Sequence, residues 1–249
     1  MRDALLIAVC TLVLFPSCRK KPDPPVVDSP PALEIAFENV VNGQPLVLGS
    51  KYYTNENGDS FVVNKYRYYI SNISLYSTDG KEFKEPESYH LVDAAVDSSL
   101  KFIISGVPGG TYDKIRFLIG VDSTRNVSGA QKGALDPVHG MFWDWESGYI
   151  MAMLEGTSPQ AQHTFISYHI TGYAGEHTTL KWVTLDFPSN ALVGKNKTAT
   201  IHVASDVDEW FRSPVTVRFA EFPAVIFPGQ EALLISNNYA DMFKIDHVD

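Results

Sequence analysis

The stretch Phe61-Val62-Val63-Asn64-Lys65-Tyr66-Arg67-Tyr68-Tyr69-Ile70 decides the fold class. Seven of its ten residues are β-branched or aromatic, and it contains no glycine or proline. Such side chains fill a pleated, half-buried surface, so the stretch reads as a strand. Ile73 to Tyr76 continues the same theme. Upstream, Leu33-Glu34-Ile35-Ala36-Phe37-Glu38 alternates apolar and polar residues with period two. Downstream, strand candidates follow at Tyr89–Val92, Leu100–Ile104, Lys114–Gly120, Tyr149–Leu154, Thr164–Ile170, Leu180–Phe187, Thr198–Ala204 and Val215–Phe219. Turn chemistry separates them at Asn57-Gly58-Asp59, Asp79-Gly80, Val107-Pro108-Gly109-Gly110 and Phe187-Pro188-Ser189-Asn190. Many short strands with regular punctuation predict an all-β chain, an antiparallel β-sandwich with long loops and minor helical turns. One such turn is expected at Asp206–Phe211, capped by Asp206. Glu231–Phe243 mixes apolar residues without a clean helical stripe.

The N-terminus reads as an address. Residues 4 to 15 form an apolar run after Arg2, too short to span a bilayer but suited to the core of an export signal. It ends at Phe15-Pro16-Ser17-Cys18, which resembles a bacterial lipobox. The expectation is a lipoprotein signal peptide over 1–17 and lipidation of Cys18. Residues 18–31 then form a tether, with five prolines among the thirteen residues from Arg19 to Pro31 and a polyproline-II bias. Residues 32–249 are expected to form one domain. That places the protein in the cell envelope, as an outer-membrane lipoprotein on the periplasmic side.

Composition narrows the chemistry. Lys plus Arg is 20 against 29 for Asp plus Glu, a net charge of −9. This balance argues against nucleic acid, which needs a basic surface to displace counterions. The two cysteines, Cys10 and Cys18, both precede the expected domain. A thiol-free domain has no disulfide framework, cysteine zinc site, iron–sulfur cluster or cysteine nucleophile. His-Glu-x-x-His, P-loop, Gly-x-Gly-x-x-Gly and Gly-x-Ser-x-Gly motifs are missing from the sequence. Paired carboxylates have no sequence signature of their own, so hydrolytic function is left unsupported and not excluded.

What remains is histidine, methionine and aromatic residues. On one strand Tyr149, Met151 and Met153 share a face, with Ile150, Ala152 and Leu154 opposite. On another, His163, Phe165, Ser167 and His169 share a face. Were the two strands neighbours, thioether and imidazole would converge, a pairing that favours copper, especially Cu(I), over calcium or magnesium. The long segment from Asp122 to Gly148 shows no clear period and ends in Met141-Phe142-Trp143-Asp144-Trp145. Loops of that length in compact domains are usually functional. A second reading makes Trp143, Trp145 and Tyr149 a stacking platform for a carbohydrate or peptide.

Several segments together resemble the MbnP-like family, in the form found in Bacteroidetes-type lipoproteins. They include Leu33–Leu46, Tyr69–Leu75, Gly120–Asn126, Leu135-Asp136-Pro137, Gly140–Ile150, Leu154-Glu155-Gly156, Tyr168-His169-Ile170 and Asn238–Val248. The Met-Phe-Trp-x-Trp-x-x-Gly-Tyr segment is the most specific. The resemblance implies a β-sandwich that binds copper for acquisition or storage, a binding protein and not an enzyme. It also implies a di-haem MbnH-like oxidase as partner, which converts one tryptophan to kynurenine at the copper site. The residues carried over are Met141, Trp143, Trp145 and His169, with Met151 and His247 as further candidate ligands. Methanotroph-type members carry four further cysteines, and this sequence has none.

Overall fold

The computed structural model describes residues 31–144, 148–195 and 197–249. The leader, Cys18, the proline-rich tether and Trp145 lie outside the described residues. The principal strands in chain order are β1 (Ala32–Val41), β2 (Ser60–Ser77), β3 (Tyr89–Asp93), β4 (Lys101–Ser105), β5 (Gly110–Ile119) and β6 (Phe142–Asp144). They continue with β7 (Gly148–Tyr149), β8 (Ala152–Thr157), β9 (Phe165–Ile170), β10 (Lys181–Val193), β11 (Thr198–Asp206) and β12 (Phe243–Val248).

Two sheets face each other, as the alternating sequence predicts. The first runs β12-β11-β1, with β4 on the far side of β1. The second runs β10-β5-β2-β8-β9, and β3 pairs with the opposite edge of the long β2. Most pairings are antiparallel. β1 with β11 is parallel, as is the short Ala224–Val225 strand with β9, so each sheet is mixed.

The inner faces meet through aromatic contacts. Phe37 of β1 and Phe243 of β12 approach Tyr68 of β2 with ring centroids 5.8 and 5.4 Å apart, and Phe117 of β5 lies 5.2 Å from Phe243. Edge-on geometry at these spacings adds to plain area burial. Leu33, Ile35, Ile201, Val203, Ile70, Ile115, Leu154 and Tyr168 complete this core.

Three local departures have physical causes. Phe187-Pro188-Ser189-Asn190 is not a turn but an interruption inside β10. The register to β5 slips between Asp186 and Ala191, and the proline sits where no ladder bond is required. Val215–Phe219 is irregular chain and not a strand. Its backbone amides bond to the Asn238 and Asp59 side chains and to the Phe211 carbonyl, while Val217 and Phe219 are buried. Residues Gln230–Asn238 form helix α2, and α1 spans Ser123–Asn126. The buried face of α2 mixes Ala232 and Ile235 with Ser236 and Asn238, which blurs the apolar stripe.

Asp206 caps the 3-10 turn Val207–Phe211 as expected, accepting from the Asp208 amide at 3.0 Å. Within that turn the Asp208 carboxylate is fully buried and neither oxygen has a hydrogen-bond partner. Burial pushes its pKa up from 3.8 to about 6, against the pull of Arg212, whose Nη1 is 3.8 Å away. A raised folded-state pKa means the fold prefers the protonated acid. Stability from this group is full below about pH 4 and declines as pH rises through 6. Asp208→Asn is expected to stabilise the protein by about 2 kcal/mol at pH 8 and by little at pH 4. Urea midpoints at the two pH values check this; an equal gain at both would contradict it.

Candidate metal centre

The outer face of the second sheet carries the site. β8 pairs with β9 so that Met153 stands opposite His169 and Glu155 opposite Ser167. On the other side, Arg67 and Lys65 of β2 stand opposite Met153 and Glu155. Side chains directly across an antiparallel pair lie about 5 Å apart at Cβ. Alternation sends Ala152 and Leu154, with Ile166, Tyr168 and Ile170, inward to the main core. An extra β2 residue, Asn64, shifts the register between Glu155 and Gly156. Lys65 then points outward beside Asn64, although two residues from the inward-facing Val63.

These rows hold His169 in one orientation. Its Nε2 lies 2.9 Å from Glu155 Oε1, and Glu155 Oε2 lies 2.8 Å from Lys65 Nζ. Burial raises the Glu155 pKa, but Lys65 and His169 outweigh it and hold the carboxyl below its usual range. An ionised carboxylate only accepts, so the Nε2 carries the proton. That leaves the lone pair on Nδ1, which is buried and has no hydrogen-bond partner. A histidine whose far nitrogen is fixed by a carboxylate is the usual arrangement of a metal ligand.

The described part of the long segment, residues 122–144, folds over one end of this face. Asp122 accepts from the amides of Thr124 and Arg125 and starts α1. It also accepts from the Asn72 amide and the Tyr89 hydroxyl. Burial raises the Asp122 pKa, yet these hydrogen bonds carry it below the usual range. At the end of α1, buried Asn126 accepts from the Tyr149 amide at 2.8 Å and donates to the Val121 carbonyl. Gly148 has φ +70°, and a Cβ there would come 2.2 Å from Asn126 Oδ1. The Gly-Tyr of the most specific segment is thus locked to the Gly120–Asn126 segment by one asparagine.

Tyr149, Met141, Met151, Met153, Tyr69, Val121, Ile150 and Leu135 form a second apolar cluster beneath this segment. The Tyr149 and Tyr69 hydroxyls donate to the carbonyls of Leu135 and Ala134. Arg67 ties in the neighbouring turn through the His139 carbonyl at 3.0 Å, while its Nε pairs with Asp93 at 2.7 Å. Trp143, on β6, is half-exposed, and its ring lies 5.7 Å from that of His169 at 47°.

The expected residues therefore separate. Trp143 lies beside His169, and Met141 shares a buried cluster with Met153, the cross-strand partner of His169. Met151 is buried in the same cluster, but its sulfur accepts from the Val121 amide at 3.2 Å. His247 does not join them; it stands on β12 in the first sheet, stacked on His202. His163 is not on the face of His169 either, since it falls in the 3-10 turn Gln162–Thr164 with φ +62°. Glu155, Lys65 and the Met153–His169 register escaped the sequence reading. The only signal for them is the Leu154-Glu155-Gly156 segment, which has no meaning until β8 is placed between β2 and β9.

Residues 30–227 match the family model named MbnP. The chain belongs to the MbnP family. MbnP from Methylosinus trichosporium has a similar structure, with a TM-score of 0.55 over 81% of this chain and 84% of that one. At 17% identity that likeness shows the shared fold alone. Comparison with curated proteins finds no match. In this MbnP-family chain, α2 and β12 lie beyond residue 227 yet complete the first sheet and its core. The donors gathered on the second sheet are one unpartnered buried imidazole nitrogen with thioethers near by, a set that fits a soft metal ion.

Proposed function

We propose that this protein is an exported copper-binding protein, lipid-anchored at Cys18 on the periplasmic side of the outer membrane. It would bind Cu(I) for acquisition or storage and carry out no turnover. The observation that carries the reading is the buried Nδ1 of His169, left without a partner while Glu155 holds Nε2. His169 would supply the imidazole, with thioether from Met153, its cross-strand partner, or from Met141 of the same buried cluster as Met153. Neutral imidazole and thioether suit a monovalent soft ion, and the apolar surroundings limit access of water.

Trp143 supports a modified site. Half-exposed and next to His169, it is open to a docking partner while close to the donor set. A di-haem MbnH-like oxidase, as the family resemblance implies, would convert it or Trp145 to kynurenine. The aromatic-platform alternative for carbohydrate or peptide loses Tyr149, whose ring is fully buried.

The test is intact-mass, peptide-mass and metal analysis of protein purified from its native host grown with copper. The expected result is near-stoichiometric copper. The peptide spanning Trp143 and Trp145 should also be heavier by one oxygen and lighter by one carbon. Copper without the mass change would remove the oxidase step. Unmodified tryptophans without copper would overturn the copper reading.

A further inference from the structure

On the first sheet, β11 and β12 carry a histidine pair that the copper reading does not use. His202 and His247 are register partners. Their rings stack with centroids 4.0 Å apart at 13°. Alternation alone would not bring them together. Along β12, Phe243 and Ile245 face the core and Lys244 and Asp246 face out, so His247 ought to turn inward. The register slips between His202 and Val203, leaving Asp246 as an extra residue on β12. This bulge turns His247 outward beside Asp246 and gives its inward place to Val248, which packs on the core.

The four ring nitrogens are sorted by carboxylates. His247 Nδ1 lies 2.7 Å from Asp246 Oδ2, and His202 Nδ1 lies 3.4 Å from Glu38 Oε1 of β1. Both Nε2 atoms are turned to one oxygen, Asp249 Oδ2, at 3.4 Å from His202 and 3.7 Å from His247. Asp249 is held there by its backbone, which exchanges hydrogen bonds of 2.9 and 3.0 Å with Thr200 of β11. Those separations are long for hydrogen bonds, whose usual N···O range ends near 3.2 Å. They match donors sharing one ion, because two ligands each about 2.1 Å from a tetrahedral zinc stand roughly 3.4 Å apart.

We propose that His202, His247 and Asp249 form a second metal site, for a divalent cation of borderline softness such as zinc. The two-imidazole, one-carboxylate set lacks the thioether that favours Cu(I) and has too few oxygens for calcium or magnesium. Asp246 and Glu38 fix the ring tautomers as outer partners of the ligands. Glu38, Asp246 and Asp249 surround the pair with negative charge. His247 and Asp249 are exposed, so the remaining coordination positions open to water or to a donor from another molecule.

The test is isothermal titration of zinc chloride into metal-free protein carrying His169→Ala, so that the first centre contributes nothing. One equivalent of zinc is expected, with cobalt(II) giving the visible absorption of a low-coordinate nitrogen–oxygen site. His202→Ala and His247→Ala should each weaken zinc at least tenfold, and Asp249→Asn by less. Calcium should not compete. All three side chains lie on the outer face, so the thermal midpoint serves as a check that the variants fold. Failure of the His169→Ala protein to bind zinc, or unchanged affinity on adding His247→Ala to it, would overturn the site. Neither outcome bears on copper at His169, which the His169→Ala background leaves out.

Discussion

Gly156→Ala is expected to destabilise the protein by about 4 kcal/mol, the range reached only by severe single substitutions. Gly156 lies on β8, flanked by β2 and β9. Its requirement is not backbone handedness but space. A Cβ at this position would sit 2.1 Å from the Val62 carbonyl oxygen and 3.2 Å from the Val62 carbonyl carbon. Those are main-chain atoms of the neighbouring strand, so no side chain can rotate away. Relief requires β2 and β8 to separate just where Asn64 already interrupts their ladder. Both strands are buried against the main core, and close-packed interiors yield little. Gly80 is the control: at φ +84° with nothing within 4 Å, its replacement by alanine should cost about 1 kcal/mol. Urea unfolding of both variants, at constant m-value, measures the difference. A loss below 1 kcal/mol at Gly156 would mean that the two strands do not approach so closely.

The same residue shows what a sequence can and cannot disclose. The Phe61–Ile70 run, the period-two alternation of Leu33–Glu38 and the Asp206 cap are local, and each appears in the fold as read. Local patterns failed where the partner is distant. Val217 and Phe219 alternate like strand residues because both are buried, yet the Val217 amide bonds to the Phe211 carbonyl and the Phe219 amide to the Asp59 side chain, while the Val215 amide bonds to the helix-end Asn238. Pro188 looked like a strand terminator, but an interruption in the ladder lets β10 continue past it. The candidate site has the same limits. His169, Met141 and Trp143 stand out by residue type and family likeness. Nothing in the chain between Lys65 and His169 says that Glu155 will sit between them. That depends on the β2–β8 and β8–β9 registers and on the single bulge at Asn64. His247 is a copper candidate through the Asn238–Val248 tail segment of the family likeness, and the topology of the first sheet takes it to His202 instead.

His169→Ala is expected to lower Cu(I) affinity at least tenfold, about 1.4 kcal/mol. The effect follows from replacing the one imidazole nitrogen that, among the described residues, the second-sheet site holds buried and unpartnered. Glu155→Gln separates the ligand from its support. Its amide oxygen can still accept from Nε2, but the pull of a full negative charge on the imidazole is gone, as is the ion pair with Lys65. Affinity should therefore fall by less than in His169→Ala, by about tenfold, the lower end of the usual cost of losing a ligand's outer partner. Competition against a chromophoric Cu(I) chelator measures both, and His247→Ala provides the comparison, with affinity close to the parent. Two results would separate the possible roles of the histidine. Unchanged affinity in His169→Ala would remove it from the centre and leave the thioethers alone to account for any copper. Loss in Glu155→Gln equal to that in His169→Ala would mean that the negative charge behind the imidazole, and not merely the presence of an imidazole, governs binding. The Glu155–Lys65 pair would then be as much a part of the copper site as the donor atom itself.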